Sequence, residues 1–575
     1  MITDAPQRPL VAAIIDLTRR GPGVRERARR AWSGNERAWA AVVVCALVAG
    51  SLALRSGQLQ FRYWIDEAIS VGIASHPLAR LPALLRQDGS PPLYYLLLHW
   101  WIALAGPGET ATHLLSLLFA VACVPAAYLG AAGLFGRRAG IFAAVLAAGL
   151  PFLTYYGQET RMYSLVALES LAGSASFVLA FVHRRRGWPV LFGLTLAAML
   201  YTHNWALFFA LAAVVAFAGL LLATRRAGTD RGRALARGGP TRGGLKREGA
   251  IGFGLAAALF APWLPSLLYQ AGHTGAPWAL PPTIWSVTQG LYFVSGGRGA
   301  AVALALAAGS GLATLRAGSG AGSGFATLRA RSGAGSGLAT LGPARAGETV
   351  RAATCLAVLG FGTLAIAWLY AKTTPSWSAR YLAVTVGPLI LLCALGLARA
   401  RGLGVAALVL VCCFWVLDPR PSSPYSKSNV AAVAATLGRM AGPGALVLST
   451  QPEQVPTLAH YLPRSDRFAS PLGVAADPTV MDWRDALARF ERSRVLTALA
   501  PLIGALHPGS RVLLVTPTSF QSQPRWMALI RRSSRRWTLY LERDRALRRI
   551  ASGAPRAQGA GVNVRGQLFV VVGRG

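Results

Sequence analysis

Pro91-Pro-Leu-Tyr-Tyr-Leu-Leu-Leu-His-Trp-Trp-Ile-Ala-Leu-Ala105 decides how this chain is threaded. If it crosses a bilayer, Arg137-Arg138 and every later basic loop land on the side that normally lacks such charge, because cytoplasmic loops collect Lys and Arg. The run is short for a span and begins Pro-Pro. It also carries Tyr94, Tyr95, His99, Trp100 and Trp101, side chains that suit the membrane–water interface. As an outer surface helix it lets the charges fall into order. Residues 39–54 act as an uncleaved anchor, with the basic cluster 19–30 holding the N-terminus inside. After the surface helix, 112–134 runs inward, 141–155 outward, 163–181 inward, 188–200 outward, 206–222 inward and 251–269 outward. Then 300–315 runs inward, 354–370 outward, 382–397 inward and 405–417 outward. Basic stretches 183–186, 225–247 and 399–401 fall inside, while 202–204, 270–298, 372–380 and everything after 417 fall outside.

Composition agrees with that threading. Of 575 residues, 53% are hydrophobic and 14% charged, against about a quarter charged in soluble domains. The net charge of +36 sits in short clusters between apolar segments, not on one face, which excludes a nucleic-acid partner. Only Lys246, Lys372 and Lys427 are lysines, an arginine bias expected of a GC-rich bacterium. All six cysteines lie in apolar segments, so neither a disulfide framework nor a zinc site is expected.

The expected architecture is a polytopic α-helical membrane protein with about eleven spans, outer surface helices and a small C-terminal α/β soluble domain. Residues 1–38 form a basic cytoplasmic N-terminus and 39–417 the membrane domain, with 55–110 as its first outer loop. Residues 309–350 form a low-complexity cytoplasmic insertion: Gly309-Ser-Gly-Leu-Ala-Thr-Leu-Arg-Ala317 recurs at 322–330 and, altered, from 335, and its Gly/Ser/Ala content predicts a flexible loop. Residues 418–575 make the extracytoplasmic domain, with strands expected at 445–448, 511–516 and 567–572 and helices at 453–461 and 482–499.

Polar groups that could carry chemistry collect on the outer side. Tyr63-Trp-Ile-Asp-Glu-Ala-Ile-Ser70 sets Asp66 and Glu67 in a helix-like segment whose Ile65, Ile69 and Ile73 would face membrane or core. About 100° separates the two carboxylates, so one of them points into a given pocket; a plain solvated pair at a helix start fits the spacing as well. Tyr155-Tyr-Gly-Gln-Glu-Thr-Arg-Met-Tyr163 crowds Gln158, Glu159, Arg161 and Tyr163 at the end of a span, where unpaired polar groups are costly. Alternatively, Glu159 pairs with Arg161 or caps the next helix. Tyr201-Thr-His-Asn204 brings His203, and 372–381 brings Lys372 and Arg380, cations on the side that should lack them. An anionic ligand would justify those two cations, as would interfacial snorkelling.

Six motifs in order carry a resemblance: Trp64-Ile-Asp-Glu-Ala-Ile-Ser70, Gly89-Ser-Pro-Pro-Leu-Tyr-Tyr-Leu-Leu-Leu-His99, Leu134-Phe-Gly-Arg-Arg-Ala-Gly140, Tyr156-Gly-Gln-Glu-Thr-Arg-Met-Tyr163, Tyr201-Thr-His203 and Ala379-Arg-Tyr-Leu382. Across 39–417 the chain resembles the GT-C glycosyltransferases, in particular the bacterial protein-mannosyltransferase/aminoarabinosetransferase-like group of glycosyltransferase family 39 and its relatives. The resemblance implies a sugar donor on polyprenyl phosphate and transfer outside the membrane to a protein, glycan or lipid acceptor, in contact with membrane lipids. It makes Asp66 the catalytic carboxylate with Glu67 its neighbour, and puts Arg161, Arg380 and Lys372 near the donor phosphate. Gln158, Glu159, Tyr163, His203 and His99 are the remaining substrate-binding candidates. No cofactor is expected, and a carboxylate-bound divalent ion stays open. Asp66 would take the acceptor proton as the bond forms, and cations replace an acid because the leaving phosphate is a stable anion. Two other classes share the many spans. A flippase would place ionisable groups mid-membrane and show repeated halves, and a non-catalytic scaffold would depend on 418–575 alone. Within that domain Tyr425, His460 and Trp483 could stack on an acceptor sugar, although core packing suits them better.

Overall fold

Where the sequence alternates long apolar runs with arginine-rich breaks, the computed structural model places helices. It describes residues 22–228, 242–320, 343–417, 423, 425–520, 523–557 and 561–573. Among these, eight helices are long and apolar enough to cross a membrane: Arg37–Arg55, Glu109–Phe135, Tyr163–Phe181, Ala206–Arg225, Gly243–His273, Arg298–Leu315, Ala346–Thr373 and Ala379–Arg399. The other three expected spans are helical but short. Trp188–Thr202 and Gly402–Val416 have 15 residues each, about 22 Å at the α-helical rise. The expected span 141–155 is instead two helices, Arg137–Gly149 and Pro151–Tyr156, parted at Leu150 because the following proline cannot donate to the ladder.

The first outer loop folds as a stack of short helices, Ile65–Ala74, Leu81–Asp88 and Leu93–Ala105. The decisive apolar run is thus a 13-residue helix, and the two before it meet at 117°. Loops assigned to the outer side touch one another. Asn204 Nδ2 donates to Gly89 O (2.9 Å), Gln270 Nε2 to Leu85 O (2.9 Å), and Gln58 N to Gln158 Oε1 (2.9 Å). Loops assigned inside do the same: Arg184 pairs with Glu248 at 2.7 Å and His183 with Glu348 at 3.7 Å.

Gly309–Ala317, read as the start of a flexible insertion, instead continues the helix Arg298–Gly320. Its small residues allow close packing: a Cβ on Gly311 would lie 1.8 Å from Gly396 O. A helix resumes at Pro343–Ala357. The later repeat copies, the end of the N-terminal tail and most of the 225–247 loop lie outside the described residues.

The C-terminal domain is a six-stranded sheet ordered β3-β2-β1-β4-β6-β5. Its strands are β1 Leu446–Ser449, β2 Arg467–Ser470, β3 Gly473–Val474, β4 Arg511–Pro517, β5 Leu547–Gly553 and β6 Val564–Val571. β1 runs parallel to β2 and β4, and the other pairings are antiparallel. Alternate residues feed two layers. Val447, Leu513 and Leu568 pack on one face of the sheet, and Leu446, Leu514 and Phe569 on the other. The expected helix 482–499 is broken into Ala486–Arg492 and Val495–Ala498 around Ser493.

This domain sits on the first outer loop. Ile65, Ile69, Ile73 and Leu84 share one core with Met481, Phe490 and Trp526. The backbones come together at Gly72, where an added Cβ would stand 1.8 Å from Thr479 O. No side chain can yield there, so Gly72→Ala should weaken the docking by about 1–3 kcal/mol. Limited proteolysis should then cleave between 417 and 430 faster than in the wild type, whereas equal cleavage would show that this close approach is not needed.

Candidate functional site

Asp66 and Glu67 occupy the first turn of Ile65–Ala74, where the helix dipole favours carboxylates. Their side chains go to different surroundings. Asp66 Oδ2 lies 2.6 Å from Arg380 Nη1. Arg161 Nη1 donates to the Asp66 carbonyl (3.2 Å) and to Ser70 Oγ (2.8 Å). Three motifs far apart in the sequence therefore meet at one residue, Arg380 on the Asp66 carboxylate and Arg161 on its backbone carbonyl. Arg380 is boxed by the rings of Trp64, Trp278 and Tyr381, 5.5, 5.2 and 5.7 Å from its guanidinium carbon. The Nε of Arg161 and that of Arg380 are buried and have no hydrogen-bond partner among the described residues.

Tyr163 and His203 flank this pair. The His203 ring lies 4.8 Å from Tyr381 and 5.8 Å from Tyr163. Its Nδ1 accepts from the Trp205 amide (3.0 Å), and burial, with Arg161 and Arg380 nearby, lowers its pKa to about 3, so the imidazole is neutral. Glu159 is buried and accepts from Trp64 Nε1, while its Oε2 has no partner among the described residues. Burial and the neighbouring Glu67 charge push the Glu159 carboxyl up.

Glu67, expected beside Asp66 as a catalytic group, is turned away from it. It is fully buried, and its Oε1 meets His113 Nε2, Lys427 Nζ (3.0 Å) and the Thr160 amide (2.9 Å). With its lone pairs committed, it is a joint between four segments. Gln158 is likewise structural: its side chain bonds Gln58 N and Thr154 O, and its carbonyl accepts from Lys427 Nζ (2.8 Å). His99 bonds the Ala74 carbonyl (2.8 Å) at the far end of the acidic helix. Lys372 is exposed, donates to Pro282 O (3.2 Å) and lies over the Trp368 ring. Neither His99 nor Lys372 joins the Asp66 cluster through these contacts. Tyr425, His460 and Trp483 pack against Arg556, Tyr63 and Trp526 respectively.

Sequence reading missed several members. Lys427 was visible only as one of three lysines, Asp88 stood just ahead of a quoted motif, and Trp278 gave no signal in its loop. Asp88 accepts from Tyr95 Oη (3.3 Å), and burial raises its pKa. Among the described residues no three His, Cys, Asp or Glu side chains converge as a metal site would require.

Comparison with known proteins places these residues in context. Residues 89–233, about a quarter of the chain, match the family described as dolichyl-phosphate-mannose-protein mannosyltransferase. Among curated protein sequences none matches the chain. ArnT from Cupriavidus metallidurans in the apo state superposes with a TM-score of 0.52 at 13% identity, over 94% of this chain and 100% of that one. The same protein bound to undecaprenyl phosphate gives a TM-score of 0.53 at 13% identity, over 94% and 99%. An oligosaccharyltransferase from Archaeoglobus fulgidus aligns over 83% of this chain and 69% of that one at 12% identity and a TM-score of 0.45.

The Glu67 joint has a pH signature. Burial alone would raise its pKa, but Lys427, His113 and the Thr160 amide overcome that and lower it to about 2. A folded value below the unfolded one means the joint stabilises fully above pH ~4.3 and loses its contribution as pH falls towards the folded value. Glu67→Gln leaves a buried lysine without its counter-charge and should cost about 3–5 kcal/mol at pH 7. The gap between variant and wild type should close on acidification. A gap independent of pH in denaturant unfolding of the detergent-solubilised protein would contradict this assignment.

Proposed function

We propose that this chain is a membrane glycosyltransferase of the GT-C type that moves a sugar from a polyprenyl-phosphate-linked donor to an acceptor hydroxyl on the outer side of the membrane, with inversion. Asp66 acts as general base, and Arg161 and Arg380 bind the donor phosphate. The observation that carries this reading is the pairing of Asp66 with Arg380 beside two buried guanidinium Nε groups that lack acceptors among the described residues. A buried donor without an acceptor costs about 1–3 kcal/mol, and a phosphate satisfies both guanidiniums at once by charge-assisted bonds.

The same pairing describes how the base is released. Without donor, Arg380 holds the Asp66 carboxylate at 2.6 Å. The donor phosphodiester offers two oxygens sharing one negative charge, competes with the Asp66 carboxylate for the guanidinium and gains a second charge as the sugar leaves, so Arg380 turns to the phosphate and Asp66 is left free to accept a proton. The acceptor oxygen then attacks the anomeric carbon, its proton passes to Asp66, and the sugar–phosphate bond breaks with its electron pair on the lipid phosphate. Arg161, braced on Ser70, and Arg380 stabilise that charge as it develops. The box of Trp64, Trp278 and Tyr381 holds Arg380 by cation–π attraction and keeps water off it. Neutral His203 adds no competing charge.

Asp66→Asn should lower transfer at least about a hundredfold, the usual contribution of a general base, while leaving donor binding intact. Arg380→Ala should raise the apparent KM for donor at least about tenfold, a charged hydrogen bond's worth, with the acceptor KM moved far less. Both are read from sugar transfer by the protein in proteoliposomes with a labelled polyprenyl-phosphate sugar. Full activity of the first variant would remove Asp66 from the role of base, and an unchanged donor KM in the second would remove Arg380 from the phosphate site.

A further inference from the structure

The sheet of the C-terminal domain contains a topological switch point. From β1 the chain crosses through the helix Val455–Tyr461 to β2 on one side, while β4, also parallel to β1, lies on the other. In open sheets, the crevice outside the carboxyl ends of parallel strands at such a point is where ligands bind. Residues 449–457 leave β1 at this place, and they are polar for their burial. Gln451 is 6% exposed, Glu453 5%, and Gln454 and Thr457 0%. Gln451 Oε1, Glu453 Oε2, both amide atoms of Gln454 and Thr457 Oγ1 have no hydrogen-bond partner among the described residues.

Two of these side chains are held by their other atoms. Gln451 Nε2 donates to Glu453 Oε1 (3.0 Å), which also accepts from Trp526 Nε1 (3.1 Å), and the hydroxyls of Thr450 and Ser534 meet behind them at 2.7 Å. The segment adjoins the outer loop that carries Asp66. Val455–Tyr461 packs on Ile65–Ala74. Tyr461 Oη accepts from Tyr63 N (2.8 Å) and donates to Glu109 (2.9 Å), and Trp483 N reaches Gln87 O (3.0 Å). Burial raises the Glu453 pKa, and the Asp66 charge lies near enough to add to that effect.

We propose that this crevice binds the acceptor, and that the acceptor is a glycan presenting several hydroxyls. The inference rests on the transferase reading for the role of acceptor, but the ligand chemistry stands apart from it. Five orphaned atoms on four side chains, acceptors mixed with donors, match a run of sugar hydroxyls, each of which both gives and takes a hydrogen bond. A serine or threonine hydroxyl would by itself satisfy at most three, and a peptide's remaining backbone groups each serve only as donor or only as acceptor.

The test uses the full chain in lipid nanodiscs, with mannotriose and undecaprenyl phosphate as separate probes. Mannotriose should slow amide exchange across 449–457, and its binding should weaken at least tenfold in Gln454→Ala and in Glu453→Gln, the latter keeping an oxygen for Trp526 Nε1. Undecaprenyl phosphate binding should be unmoved by either change. Mannotriose protection without undecaprenyl phosphate binding would keep the glycan crevice and remove the donor reading. Unaltered mannotriose binding in both variants, protection elsewhere only, or protection of 449–457 by a serine/threonine peptide but not by mannotriose would overturn the proposal.

Discussion

A buried carboxylate must be neutralised where it lies, and Glu67 meets that demand by drawing four parts of the chain to one oxygen. His113 arrives from the helix Glu109–Phe135, the Thr160 amide from the second outer turn, Lys427 from the C-terminal region, and Glu67 itself from the acidic helix. In a low-dielectric setting any one partner withdrawn leaves an uncompensated charge, so the four segments move as one. Asp66, one residue away on the same helix, inherits that rigidity without using its own side chain. Its carboxylate can be held by a single exchangeable guanidinium because the helix is fixed by its neighbour.

The two acidic residues thus divide tasks that the sequence presents as equivalent. About 100° of helix rotation separates an anion fully committed to its partners from one held by a single guanidinium. The division is visible in partners: Glu67 has three donors on one oxygen, Asp66 has one arginine on its side chain. Arg380 in turn is fixed by aromatic faces, which orient a cation without neutralising it. Such an arrangement keeps a positive charge ready for an anion, whereas a second carboxylate on Arg380 would have quenched it.

Much of the frame was legible because charge and hydropathy act locally. The short helix at 93–105, the gathering of the Asp66, Arg161 and Arg380 motifs at one place, and strands β1, β4 and β6 all follow from runs of a few residues. What escaped is long-range or marginal. The partner of Glu67 sits 360 residues away, and a lone lysine in a linker carries no periodicity to announce it. β5, with Arg548 and Arg549 exposed, is an edge strand too polar to read as one, and β3 is two residues long. Arg525–Arg543 buries Trp526, Ile530, Trp537 and Leu541 beneath an arginine-rich face, and its charge hid its amphipathic pattern. His99 and Lys372 stand apart from the Asp66 cluster because residue type and outer placement say nothing about which carbonyl a side chain will reach.

A transferase joining a lipid-borne donor to a hydroxyl from water has to bring two solvents' worth of ligand to one carbon. The spans can present only what lies at their ends, which is where Arg161 and Arg380 stand. A polar acceptor needs a wall that does not belong to the bilayer, and a soluble α/β domain supplies it only if it cannot drift. Gly72 against Thr479, His76 against Asp477 at 2.8 Å and Lys427 against Glu67 hold that domain on the helix bearing Asp66. Each contact lies on the acidic helix or at its end, so Asp66 is shared by both halves: its carboxylate faces Arg380 of the membrane domain, while the helix that carries it also carries the soluble domain.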